Sequence, residues 1–198
     1  MVVLSGSNSR PMAEQLAREL SWHHHFIETR RFPDTEGYIR IPDDLIDAIR
    51  SEPVVLVSNT FPDSGIIETL LMLEAINDVR GGKLENLREI GPQILDDVGP
   101  GIILAIPYFG YSRQDKRFRP GEAISAKAIG NLLAVKCDGI IVFDLHAPKV
   151  LQGLSVPVAF TSAMPELAKH LQTTVKPDFI LSPDKGAIDR ASEVAEII

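Results

Sequence analysis

The sequence predicts an α/β fold built on a central, mostly parallel sheet. Two observations predict it. Short apolar runs of strand character recur at residues 2–4, 53–58, 101–106 and 139–145, with helix-patterned stretches between them. Such alternation makes parallel sheets covered by helices. Several runs also deliver polar or charged residues to their C-terminal ends, where sheets of this kind hold ligands.

The totals set bounds. The chain has 198 residues, 44% of them hydrophobic and 24% charged, which suits one large globular domain or two small ones. A formal charge of −7 argues against general nucleic-acid binding. Cys137 is the single cysteine, so no intrachain disulfide can form. The opening MVVLSGSNSR has no basic region followed by a long apolar core, and no run reaches the ~20 apolar residues that span a bilayer. A cytoplasmic protein without membrane contact is expected.

In chain order, Val2-Val3-Leu4 reads as a strand closed by Ser5-Gly6-Ser7-Asn8-Ser9. Residues 11–20 follow as a helix with Ser9 at its N-cap. The Ser/Gly loop could bind an anion or simply cap the helix. His23, His24 and His25 alternate in direction along an extended segment, so they cannot share one ion and read as edge chemistry. Residues 26–32 and 37–41 read as a hairpin with Phe32, Asp34, Thr35 and Glu36 at its tip. On residue types alone that tip is a polar turn. Residues 53–58 form a buried strand. Asp63–Val79 then carries Ile66, Leu70, Leu73 and Ile76 at helical spacing, with Met72 in the core and Glu74 at the rim. Beyond the Gly81-Gly82 break, apolar residues recur near helical spacing as far as the Asp96-Asp97 turn.

The strand at 101–106 leads into PYFGYSRQDKRFRPGEAISAK, and residues 123–136 follow as a helix. This loop holds Arg113, Lys116, Arg117 and Arg119 within seven residues, in an acidic chain. Guanidinium groups pair with phosphate oxygens two bonds at a time, so a polyphosphate ligand explains the cluster better than a solvated basic loop. Residues 139–145 form a strand ending at Asp144-Leu145-His146, where His146 alone reads as structural. Strands at 156–160 and 179–181 and helices at 165–171 and 188–198 complete the pattern. The strand at 179–181 ends in SPDKGA, whose Asp184 has the chemistry of an N-cap.

Taken together, PYFGYSRQDKRFRPGEAISAK, RFPDTE, DLHAPKVLQG and SPDKGA resemble ribose-phosphate diphosphokinase, also called phosphoribosyl pyrophosphate synthetase, in its archaeal-type form. The resemblance implies tandem type I phosphoribosyltransferase-like domains. Residues 1–162 would be the ATP-binding domain, with an insertion at about 81–99, and 163–198 the start of a second, incomplete domain. It implies an enzyme that moves the diphosphoryl group of ATP onto ribose 5-phosphate, giving phosphoribosyl diphosphate and AMP. Phe32, Asp34, Thr35 and Glu36 would hold adenine, commonly that of a neighbouring subunit, so a homo-oligomer is expected. Arg113 and Gln114 would contact ATP, and His146 and Asp184 would lie at Mg2+. His146 as a magnesium ligand rests on resemblance, since magnesium prefers oxygen. The Asp96-Asp97 pair is set aside as the family's paired-acid loop, because it precedes a strand instead of following one. That loop and the transition-state Lys/Arg loop are expected beyond Ile198, in a longer chain. The alternative is a non-catalytic homologue that binds nucleotide or assembles with an active synthetase. A phosphoribosyltransferase would need the paired-acid loop.

Overall fold

The computed structural model describes residues 1–80 and 101–198. The insertion expected at 81–99, with its Asp96-Asp97 turn, lies outside the described residues. The chain divides into two compact units, Met1–Phe160 and Thr161–Ile198.

The first unit is organised by a six-stranded sheet of order β2-β1-β5-β6-β7-β8. Its strands are β1 (Val2–Ser5), β2 (His23–Phe26), β5 (Val54–Val57), β6 (Ile102–Ile106), β7 (Gly139–Phe143) and β8 (Val158–Thr161). The pairs from β2 through β7 are parallel, with Val2 opposite His23 and Val54, and Val54 opposite Ile102. The central runs VVLV and IILAI are buried at every position. That follows from helices on both faces: a parallel sheet covered twice has no polar side to alternate with. On one face Val2, Leu4, Leu56, Leu104 and Ile140 meet Met72, Leu73 and Ile76 of α3 (Asp63–Val79) and Leu133 of α4 (Ser125–Ala134). On the other, Val3, Val55, Val57 and Ile103 meet Ala13 and Ala17 of α1 (Arg10–Glu19). A fully buried leucine such as Leu104 contributes about 1.5–3 kcal/mol.

Local details of the first unit differ from the sequence reading. Residues 26–32 are not one strand. The chain leaves the large sheet after Phe26 and, past the fully buried Ile27, begins β3 (Glu28–Arg31). This strand pairs antiparallel with β4 (Gly37–Arg40) as a separate two-stranded hairpin. Ser9 holds the N-cap position of α1 without capping it, because its hydroxyl donates to Asn8 Oδ1 (2.9 Å) and accepts from Asn59 N (3.0 Å). A short helix, α2 (Ile46–Ser51), leads into β5.

The second unit holds α5 (Met164–Thr174) and α6 (Ile188–Ile197), which lie against each other and bury Ala168 and Val194. The strand expected at 179–181 is absent. Phe179 and Leu181 are 84% and 88% exposed, and among the described residues no strand lies beside this run to give it a ladder. Among the described residues, no helix is long and apolar enough to cross a membrane.

Candidate functional site

Three loops leave the C-terminal edge of the sheet side by side, after β1, β5 and β6, and are laced to one another. Asn8 and Asn59 bridge the first two: Asn8 Nδ2 donates to Asn59 O (2.9 Å), and Asn59 Nδ2 donates to Asn8 O (3.3 Å). Asn59 Oδ1 then accepts from Tyr108 N (2.8 Å), while Gly110 N donates to Thr60 Oγ1 (2.8 Å). Gly110 is required there, because a Cβ would sit 2.2 Å from the Thr60 carbonyl oxygen. The β1 loop does not cap α1; Ser7 ties it to α3 instead. Ser7 N and Oγ donate to the Glu68 carboxylate of α3 at 2.7 and 2.6 Å.

The basic loop rises from this base. Tyr111 takes a left-handed backbone (φ +62°), and its phenol donates to Asp63 Oδ1 (2.8 Å) at the start of α3. That hydrogen bond holds the phenol pKa above its ordinary value. Gln114 N donates to Tyr111 O (2.9 Å), closing a turn that carries Arg113. Arg113 is exposed and, among the described residues, makes no hydrogen bond or ion pair. The Gln114 carboxamide donates to Lys116 O and Ala123 O, both at 3.3 Å, and so braces the loop. Arg117 donates from Nε to Glu122 O (2.9 Å), and Lys116 lies over the Phe118 ring. Glu122 Oε2 accepts from Phe118 N (2.7 Å) and Arg119 N (3.0 Å). The four cations are therefore not equivalent: Arg117 is bent onto its own loop and Lys116 onto Phe118, whereas the Arg113 and Arg119 guanidinium groups make no hydrogen bond or ion pair among the described residues.

The hairpin tip is a tight turn. Thr35 N donates to Phe32 O (2.9 Å), Phe32 N to Glu36 O (2.9 Å), and Glu36 N to Asp34 Oδ1 (3.1 Å). Thr35 sits at φ +76°, a conformation costly for a β-branched residue. Phe32 is 40% exposed, with its ring edge-on to Tyr38. Arg30, which sequence reasoning passed over, lies over both rings, 4.1 Å from the Tyr38 centroid. Thr35 and Glu36 line a cleft of about 670 Å3 with Ser7, Ser64, Ile67 and Leu71. This cleft explains why Ile67 and Leu71, on the apolar side of α3, are exposed. Arg113 and Gln114 are not among its lining residues, so the tip and the basic loop do not share it.

His146 lies exposed in the loop after β7, two residues beyond Asp144, whose φ is +46°. Asp184 belongs to the second unit, where its carboxylate caps a short turn, accepting from Gly186 N (2.8 Å) and Ala187 N (3.1 Å). Among the described residues, no three His, Cys, Asp or Glu side chains gather as a metal cage. Glu74, read as a rim residue, pairs with Lys136. Asp63 and Thr60 escaped the sequence reading because nothing local marks partners as distant as Tyr111 and Gly110.

Comparison with known proteins extends this picture. The chain is 33% identical over 199 residues to a ribose-phosphate pyrophosphokinase of Sulfurisphaera tokodaii, covering 99% of this chain and 61% of that protein. It is 36% identical to that of Methanothermobacter thermautotrophicus, covering 100% of this chain and 62% of the relative. The chain thus spans about three fifths of the length of the curated relatives it matches. The crystal structure of phosphoribosylpyrophosphate synthetase from Mycobacterium smegmatis superposes with a TM-score of 0.74 at 23% identity, over 98% of this chain and 60% of that one. That likeness shows the fold. Residues 1–83 and 100–136 match the model of the N-terminal domain of ribose phosphate pyrophosphokinase, and this match over more than half of the chain shows that it belongs to that family.

Proposed function

We propose that this protein transfers the diphosphoryl group of ATP to the anomeric hydroxyl of ribose 5-phosphate, forming 5-phosphoribosyl 1-diphosphate and AMP for nucleotide biosynthesis. One observation carries the reading. Arg113 is an exposed guanidinium without an intrachain counter-ion among the described residues, on a loop pinned to the C-terminal edge of a parallel sheet. A cation held there in a chain of charge −7 is placed to meet phosphate oxygens.

The chemistry asks mainly for positioning. Attack is in line at the β-phosphorus, so the protein must hold the triphosphate and neutralise charge. Arg113 takes triphosphate oxygens, and Gln114 keeps the loop in shape beneath them. Phe32 offers ring area for adenine, and Asp34, Thr35 and Glu36 surround it with acceptors. The separation of Glu36 and Thr35 from Arg113 into different surfaces supports adenine of a neighbouring copy as the hairpin's ligand, hence a homo-oligomer. Magnesium would arrive with the nucleotide. The donors present fit an ion held largely by phosphates and water, with His146 of the first unit offering a single position, and Asp184 of the second unit a carboxylate of its own. No nucleic-acid or membrane partner is implied. Cys137, a buried free thiol, suits a reducing cytoplasm.

The test is to supply ATP, magnesium and ribose 5-phosphate and follow AMP release. Turnover supports the enzyme; ATP binding without turnover supports a non-catalytic nucleotide binder. Arg113→Ala should weaken ATP binding by roughly tenfold or more, the loss expected for a charged hydrogen bond. Unchanged affinity would remove Arg113 from the site.

A further inference from the structure

Outside the residues that the ATP reading uses, one exposed hydrogen bond ties the basic loop to another element through side chains alone. Tyr111 donates to Asp63 Oδ1 at 2.8 Å, across 48 positions of sequence. Both residues are exposed, Tyr111 by 44%, so the bond buries little surface and is a weak device for holding the fold. Its setting is more informative. Tyr111 accepts the left-handed backbone that non-glycine residues avoid. Its carbonyl accepts from Gln114 N at 2.9 Å, so Tyr111 is the first residue of the turn in which Arg113 is third. The preceding residue, Gly110, is anchored on Thr60. Farther along, Gln114, Arg117 and Glu122 spend their bonds within the loop. Among the described residues, of the side chains from Tyr111 to Glu122 only that of Tyr111 bonds outward to a fixed helix.

We propose that the Tyr111–Asp63 pair is a positioning latch, orienting the turn that presents Arg113 to a polyphosphate ligand. Neither residue touches the ligand. Asp63 begins α3, whose interior residues Met72, Leu73 and Ile76 are fully buried, so the loop inherits the rigidity of a core helix. Preorganising a cation in this way spares the ligand the ordering of a long loop. The inference rests on the ATP-binding reading, and its test separates the two.

ATP affinity in the presence of magnesium is measured for the whole chain, together with the thermal midpoint of each variant. Tyr111→Phe should weaken ATP binding by about tenfold, as loss of a hydrogen bond that orders the turn does, with little change in the midpoint. Asp63→Ala should match it, and the double variant should be no weaker than either single one, because both remove the same bond. Asp63→Asn keeps an oxygen acceptor and should stay within about twofold of the parent. Binding lost in Arg113→Ala but intact in Tyr111→Phe and Asp63→Ala overturns the latch alone. Binding intact in Arg113→Ala overturns the nucleotide site and the latch with it. Equal losses in Asp63→Asn and Asp63→Ala also overturn the latch, since the carboxylate would then act by charge and not as an acceptor.

Discussion

Replacing Gly110 by alanine should cost the first unit about 2–4 kcal/mol, a magnitude that follows from one contact. A Cβ on Gly110 would sit 2.2 Å from the Thr60 carbonyl oxygen and 3.2 Å from its carbon. Ordinary contact needs about 3.5 Å, so one backbone segment must retreat by about 1 Å. Neither segment is free to do so. Thr60 N donates to Tyr108 O (3.1 Å), and Thr60 Oγ1 accepts from Gly110 N (2.8 Å). Overpacking of this kind costs about 1–3 kcal/mol, and a lost hydrogen bond adds about 1. Urea unfolding, followed for the transition of this unit, should show a midpoint lower by about 1–2 M with an unchanged slope. ATP affinity should fall too, because the displaced segment carries Tyr111 and Arg113. Gly37→Ala is the control: its Cβ meets only Leu71 Cδ1 at 3.6 Å, and the change should be neutral or stabilising by up to about 1 kcal/mol. A Gly110→Ala midpoint within experimental error of the parent would refute the close-approach argument.

Two further outcomes follow from ionisable groups in the first unit. Burial pushes the Cys137 thiol up to about 12. Iodoacetamide at neutral pH should therefore leave it unlabelled until urea opens the unit, and labelling at the rate of a free thiol would contradict its packing. Burial also lowers the pKa of His24, whose Nε2 lies 2.9 Å from Ser5 Oγ, with Arg10 and His25 acting in the same direction and Glu14 against them. The unfolded chain then binds the proton first, so this contribution to stability is complete above about pH 6.5 and is lost as pH falls through the lower folded value. Urea midpoints should drop between about pH 7.5 and 5.5, and the drop should shrink in His24→Gln; an equal drop in that variant would assign it to other groups.

What the sequence could reveal was set by the range of the forces involved. The strands VVLV and IILAI were legible because a strand buried on both faces must be apolar throughout, a property each run carries within itself. The helix Asp63–Val79 was legible to both ends for a similar reason, as its core residues repeat at helical spacing. Residues 179–181 show the limit: an apolar run has the character of a strand, yet strand formation needs a neighbour that no local pattern supplies. Ile27 shows another, since periodicity does not register the point where a chain leaves one sheet for another. In the site, residue type correctly marked a loop rich in cations but could not rank them. Arg113 and Arg117 carry the same charge four positions apart. The difference lies in Glu122, whose carbonyl engages Arg117 while its carboxylate organises the turn beside it, leaving Arg113 clear. Which cations are offered to a ligand is thus narrowed by the groups that hold Arg117 and Lys116, leaving Arg113 and Arg119.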